Sequence, residues 1–364
     1  MQRDRLHRAF SQLPVADTRR VAWLAVDRLS SQWVASWPTD RCELSDLEAP
    51  EVITTYLGRE SPAVRHLAGR HIPCGRARAG TPCICDVHGH QLGLAILPGS
   101  DHTVCHDACG GELFQLLTEA GLRTELQPRH IFASQIPIAV LLAPGRPPSL
   151  VPDASVDVAL PAAVTARGQP RGPRLPLRRL LFDVKTIHAG GGCYLSARAR
   201  DEQSGAVRQR EALVWPDYLR HARRLDALYS PAGSQAIERR LRSFTAVRGL
   251  VFGQFGEASP DVHGLIGVAA DELAQRQWRI MGARSATEMR AYLVSQSRRR
   301  VGMAAVQAMA RHRLARVPYI GVPRQAVVAR AQHGWAGGRQ YAPAPEHFDF
   351  FQYQARGPQQ AARA

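Results

Sequence analysis

With 364 residues, 45% of them hydrophobic, the chain can form one large domain or two modest ones around a packed core, which excludes wholesale disorder. The longest apolar stretch, 136–142, is too short to cross a bilayer and the opening MQRDRLHRAF lacks the apolar run of a secretory signal. Seven scattered cysteines do not form a disulfide framework, so a reducing compartment, nucleus or cytoplasm, is expected. The 47 basic residues against 31 acidic ones give a net charge of +16, which favours a polyanionic partner, nucleic acid before an anionic membrane surface.

Residues 1–70 are predicted to be mostly helical, centred on the apolar run 21–26 and punctuated by Pro38, Pro50 and Pro62. Residues 71–104, rich in Cys, His, Gly and Pro, read as an irregular connector with one apolar run at 92–97. A helix is predicted over 107–120, with Leu113, Leu116, Leu117 and Ala120 on one stripe and Gly121 closing it. Two β-like stretches, 131–132 and 136–142, precede a Pro-rich turn, and 155–160 alternates as a strand with Val156, Val158 and Leu160 on one face. Residues 161–178, rich in Pro and Arg without periodicity, are expected to be a loop, and 180–187 is the next strand, ended by Gly190-Gly191-Gly192. Helices follow at 206–213, 217–228 and 234–245, a strand at 249–252, and helices at 259–281 and 286–317. Beyond 323, Gly, Gln, Pro and Ala suggest a mobile tail. The expected organisation is therefore a helical region 1–70, a connector 71–104, an α/β core 105–255, a helical extension 256–322 and a tail 323–364.

The charge bias holds a sharper clue, because all but one of the 47 basic residues are arginine. Codon pressure towards arginine explains the bias, and the surviving lysine, Lys185, is then a candidate for a place where a compact ammonium cannot be replaced by a planar guanidinium, chance survival being the plain alternative. It stands two residues after Asp183 on a strand-like apolar run, and only Arg19, Arg240 and Arg290 have an acid at the same spacing. Strand alternation puts Leu181, Asp183 and Lys185 on one face, and Phe182 and Val184 on the other. Upstream, Pro152-Asp153 introduces the strand that would pair with this one, and a hairpin would bring Asp153 to Asp183 and Lys185. Two carboxylates offer hard-oxygen ligands suited to Mg2+ or Mn2+, with a lysine placed to orient water or stabilise developing negative charge.

Pro152-Asp153 followed by Asp183-Val184-Lys185 resembles the signature of the PD-(D/E)XK, or restriction-endonuclease-like, nuclease superfamily. The resemblance implies a central mixed sheet flanked by helices, beginning with a helix whose acid often joins the metal site, then three strands and a second helix. Glu112 is the best match for the helix acid and Asp107 the runner-up. The wider block, from Phe182-Asp183-Val184-Lys185-Thr186-Ile187-His188 through the segment 251–259, is similar to uncharacterised open reading frames of eukaryotic mobile elements, in which such a module accompanies a reverse transcriptase. The similarity spans about residues 85–320; the segment 161–178 is then an insertion between Asp153 and Asp183, and no reverse transcriptase motif is visible. The expected activity is metal-dependent hydrolysis of nucleic-acid phosphodiesters, DNA before RNA, with Asp153, Asp183 and Glu112 as metal ligands and Lys185 beside the water. The alternative is an inactive nucleic-acid-binding or assembly module on the same fold.

Other residues add expectations. Cys83, Cys85, His88 and His90 have zinc-ligand chemistry, although Cys83-Ile84-Cys85 matches no standard finger and buried thiols with loop histidines are the default; a zinc-dependent interaction domain would centre on 74–109. Arg208, Arg220, Arg223 and Arg224, on the helices after Lys185, and the run Arg298-Arg299-Arg300 are candidates for binding a phosphate backbone, where a solvated helix face is the plain alternative. His188 either contacts a phosphate or caps the strand end, and the two glycines of the turn that carries Glu257 suggest a close backbone approach or a tight turn.

Overall fold

The computed structural model describes residues 9–323 except 11, 15–16, 36–42, 75–82, 98–100, 137–149, 159–160, 165–169, 175–177, 197–198, 200–201, 232 and 245. The expected strand at 136–142 and the expected tail lie almost wholly outside the described residues. The helices are α1 (Thr18–Ala25), α2 (Arg28–Gln32), α3 (Glu48–Tyr56), α4 (His90–Leu94), α5 (Asp101–Glu119), α6 (Gly192–Leu195), α7 (Gly205–Tyr229), α8 (Ala236–Arg242), α9 (Pro260–Gln277) and α10 (Ala286–Leu314). The strands are β1 (Thr124–Leu126), β2 (Ala154–Val158), β3 (Pro161–Val164), β4 (Pro170–Arg174), β5 (Arg178–Ile187) and β6 (Val247–Gly253).

The chain is α/β: a four-stranded mixed sheet in the order β1-β2-β5-β6 is flanked by helices. The β1–β2 and β2–β5 pairs are antiparallel, whereas β6 runs parallel to β5 after the helical crossover through α7 and α8. β5 is central, and its residues 180–184 are buried on both faces, as a doubly covered strand must be. Phe182 and Val184 pack into the large core with Leu113 and Leu117 of α5, Leu265 of α9 and Ala305 of α10. Leu181 faces the other way, onto Val214, Ala222 and Leu225 of α7 and Leu241 of α8.

Several sequence expectations are corrected. Residues 161–178 are not all loop, because β3 and β4 pair antiparallel as a separate two-stranded sheet. Pro suits such a pair, in which every strand is an edge. Ile131 and Phe132 are not a strand; they are buried in a 3-10 turn over Arg129–Phe132 that follows Pro128. The helices expected at 206–213 and 217–228 form one helix, α7, with Pro216 inside it, held by burial of Val214 before the proline and Ala222 after it. The connector contains the helix α4, and β1 had no signal beyond three half-buried residues. Among the described residues no helix is long and apolar enough to cross a membrane.

Two polar clamps fix the periphery. Asp27 caps α2, its Oδ1 accepting from the Leu29 and Ser30 amides at 2.8 and 2.7 Å. Its Oδ2 accepts from the Ala258 amide at 2.9 Å and lies 3.0 Å from His263 Nε2, tying the N-terminal helices to the turn after β6. In that turn the Glu257 carboxyl folds back over Gly253, where a Cβ would overlap it, and Gly256 at φ +85° makes the tight turn. Glu257 is fully buried and accepts from Tyr194 OH at 2.5 Å and from the Phe255 amide at 3.1 Å.

Burial pushes the Glu257 carboxyl up to about 8; the Tyr194 and backbone hydrogen bonds oppose this and the Asp27 charge adds to it. An acid raised on folding from its ordinary 4.5 contributes stability that is full below that value and lost as pH rises through about 8. Denaturant midpoints measured at about pH 5, 7 and 9 should therefore fall more steeply in the wild type than in Glu257→Gln. Equal slopes would contradict the assignment.

Candidate functional site

The β2–β5 register builds the site. Its terminal pair is Ala154 with Phe182, so one step further carries Asp153 opposite Asp183. Asp153 leaves the ladder there: its carbonyl accepts from the Gln127 amide at 2.8 Å, and its side-chain Oδ2 accepts from the Val184 amide at 2.6 Å. The carboxylate thus lies against the backbone between Asp183 and Lys185. Asp183 is buried, its Oδ1 accepting from Tyr218 OH of α7 at 2.9 Å and its Oδ2 lying 2.6 Å from Lys185 Nζ. Lys185 keeps 34% of its side chain exposed, so its ammonium joins a buried acid to solvent. From α5, His106 Nε2 lies 3.1 Å from Asp153 Oδ2, and His106 Nδ1 lies 2.9 Å from Asp107 Oδ1.

α7 reaches Asp183 because Gly249 of β6, the register partner of Asp183, has no side chain. A Cβ at Gly249 would stand 2.8 Å from Val214 Cγ2 and 3.2 Å from the Glu211 backbone, which would push the helix outward. Close packing at this glycine is therefore what sets the Tyr218 hydroxyl at hydrogen-bonding range.

The environments drive the two carboxylates apart. Burial raises Asp183 above the usual aspartate range; the Lys185 charge opposes this, and the Asp153 charge adds to it. Burial also pushes Asp153 upward, but the hydrogen bond and charge of His106, the Val184 amide and Lys185 outweigh it and hold Asp153 below its ordinary value. For His106, burial disfavours the cation, yet the hydrogen bonds to Asp107 and Asp153 raise it to about 10. Two neighbouring acids pushed in opposite directions are a common arrangement where acid and metal chemistry are performed.

Asp153, Asp183 and Lys185 are brought together as expected; Glu112 is not with them. It forms an ion pair with Arg300 of α10, on a different face of α5 from His106. The side chain by which this helix touches Asp153 is His106, with Asp107 behind it. Neither His106 nor Tyr218 was expected at this centre from the sequence. The apolar stripe Leu113–Leu117, run back two turns, meets position 106, and that signal could have found it.

The proposed phosphate-binding arginines divide. Arg220, Arg223 and Arg224 are exposed on α7; Arg220 pairs with Asp217 at 2.8 Å, Arg223 with Glu238 at 2.8 Å, and Arg208, further back, with Glu202 at 3.1 Å. His221, one turn from Tyr218, is pushed below its ordinary value by burial and by the charges of Arg224 and Arg220. The run Arg298-Arg299-Arg300 does not form one exposed patch. Arg298 is 5% exposed and pushed down to about 10 by burial and the Arg28 charge, and Arg300 is held by Glu112 and Glu119. Consecutive helical positions lie on different sides, and α10 is packed on α2, α3, α5 and α9.

At the other cluster, Asp86 Oδ1 accepts from the His88 and His90 amides, and its Oδ2 from the Gln91 amide, shaping the start of α4. His88 Nδ1 lies 3.1 Å from the Arg59 carbonyl and its ring stacks on that of His90. His90 is driven down to about 4, mainly by burial. Cys85 is buried in an apolar cluster against which Cys83 and Cys74 also pack. His188 is buried and stacks on His312 of α10 with centroids 4.7 Å apart. Among the described residues no three His, Cys, Asp or Glu side chains form a metal-holding group, at this cluster or at Asp153.

Asp153 and Asp183 offer carboxylate oxygens, the hard donors of which Mg2+ takes one or two while water and phosphate oxygens complete its shell, and here protein donors engage both groups. No protein-family model, curated protein or solved structure matches this chain.

The Tyr218→Phe change removes the donor to Asp183 Oδ1 and should cost about 1.5–3 kcal/mol in denaturant unfolding. The cost should shrink in an Asp183→Asn background, and strict additivity of the two changes would contradict the bond.

Proposed function

We propose that the chain hydrolyses phosphodiester bonds of nucleic acid with a divalent cation held by Asp153 and Asp183. The observation that carries this reading is the meeting of Asp153, Asp183 and Lys185 at the end of the β2–β5 ladder, although a long insertion separates the first from the other two. The order of elements supports it: the helix α5, the sheet strands β1, β2 and β5 with the β3–β4 pair inserted before the last, and the helix α7 follow the helix, three strands and second helix that the PD-(D/E)XK resemblance implies. DNA as substrate, a mobile-element setting and a reverse transcriptase as partner rest on the resemblance of 182–188 and 251–259 alone.

A divalent cation at this position would polarise a phosphoryl oxygen and lower the pKa of a bound water. Asp153 and Asp183 would hold it, with Tyr218 fixing the Asp183 carboxyl and the Val184 amide fixing that of Asp153. The Lys185 ammonium, half-buried beside Asp183, is placed to orient water or to stabilise charge developing on the phosphoryl oxygens. Arg220, Arg223 and Arg224 face solvent on the same helix as Tyr218 and would meet the phosphate backbone. The second reading, a binding or assembly module without cleavage, is favoured by Glu112, which serves Arg300 instead of joining the aspartates.

Plasmid and single-stranded DNA incubated with Mg2+ or Mn2+ should be cut by the wild type, with a loss of at least about a hundredfold in both Asp183→Asn and Lys185→Ala. Cutting that survives both substitutions would reject this centre. Salt-sensitive binding without any cutting would leave the binding module as the function.

A further inference from the structure

A buried cation away from the Asp153–Asp183 centre has no anion to balance it. Arg298 of α10 is 5% exposed, and among the described residues its side chain forms no hydrogen bond and no ion pair. Its Nε is closed off without an acceptor, whereas its two terminal nitrogens are not, so the small exposure lies at the tip of the guanidinium. The place is set by a tight crossing, because a Cβ on Gly302 of α10 would stand 2.7 Å from the Leu29 carbonyl oxygen of α2. Arg298 lies one turn before Gly302, and of the charges that act on it the exposed Arg28 is the strongest, followed by Asp27 and Arg290. Asp27 is the acid among these, and both its oxygens are taken, Oδ1 by the Leu29 and Ser30 amides and Oδ2 by the Ala258 amide and His263. Arg290 is held by Asp271 of α9. Arg28 and Arg298 are left uncompensated among the described residues.

We infer that Arg298 and Arg28, with Arg290 behind them, form a site for one phosphate group where α2 meets α10. A buried amine could shed its proton, but a guanidinium stays charged, so burying it without a partner is costly unless a ligand supplies the anion. Even here, where burial and the Arg28 charge bring Arg298 down to about 10, it is a cation at neutral pH. The planar fork of N–H donors matches two phosphate oxygens at once, which a spherical anion such as chloride cannot use. The second cation, Arg28, stands at the exposed side of the same place and adds attraction as the group enters from solvent. The phosphate belongs either to a nucleic-acid strand or to a free phosphate compound, and the recognition chemistry is the same. The site shares no hydrogen bond or ion pair with Asp153, Asp183 or Lys185 and does not depend on cleavage there.

Calorimetric titration of the full chain with inorganic phosphate, without divalent ions and at an ionic strength held constant with chloride, tests the site. The wild type should bind phosphate, and Arg298→Met should bind it at least about tenfold more weakly. Arg28→Gln, a change at an exposed side chain, should weaken binding by a smaller factor and decides the matter if Arg298→Met does not fold. Thermal melts followed by circular dichroism check the fold of both variants. The anisotropy of a labelled single-stranded oligonucleotide separates the two sources of phosphate. If the site takes a strand phosphate, Arg298→Met also weakens oligonucleotide binding and lowers its salt slope by about one. If oligonucleotide binding is unchanged while phosphate binding is lost, the site is assigned to a free phosphate compound. Phosphate binding that is equal in the wild type and the folded variants, or absent from the wild type, overturns the inference and leaves the reading of the metal centre untouched.

Discussion

Two neighbouring carboxylates, Asp183 buried and Asp153 half-buried, are the constraint around which this fold is arranged. Taking an ion out of water costs several kcal/mol even after relaxation, and two of like sign add their repulsion. Asp153 and Asp183 remain tolerable only because donors converge on them: His106 from α5, the Val184 amide and Lys185 from β5, and Tyr218 from α7. Each donor belongs to an element on a different side of the sheet or along it. Satisfying the acids therefore fixes the position of both flanking helices.

The packing serves the same end. α7 can deliver its hydroxyl because β6 offers Gly249 beside Asp183, and β6 can lie parallel to β5 because α7 and α8 carry the chain back across the sheet. On the opposite face α5, α9 and α10 bury Phe182 and Val184, so the strand bearing Asp183 and Lys185 is clamped on both faces. The N-terminal helices are held to this core through Asp27, whose carboxylate bridges the cap of α2 and the turn after β6. A polar centre in a rigid sheet, reached by side chains from both sides, is the setting in which a small displacement of an acid would be felt most.

Much of the centre was legible because its signals are local. The single lysine, the strand alternation of 180–187 and the Pro-Asp before 155–160 are properties of short segments, and the register of a hairpin follows from them. What was not legible depends on which face of a helix meets which neighbour. Glu112 and His106 share α5, and only the docking of the helix decides that one meets Arg300 and the other Asp153. The three consecutive arginines at 298–300 suggested a patch, but α10 turns them to different sides. The β3–β4 pair was hidden because prolines read as a loop, and α7 was split in two because Pro216 reads as a break that packing overrides.

The central claim is that Asp153 and Asp183 together form a divalent-cation site. Anomalous diffraction from crystals soaked in Mn2+ tests it most directly. A peak within coordination distance of both carboxylates, with Lys185 beside it, is the result this account predicts. Full Mn2+ occupancy elsewhere, with His106 and Lys185 still holding the two acids, would contradict it.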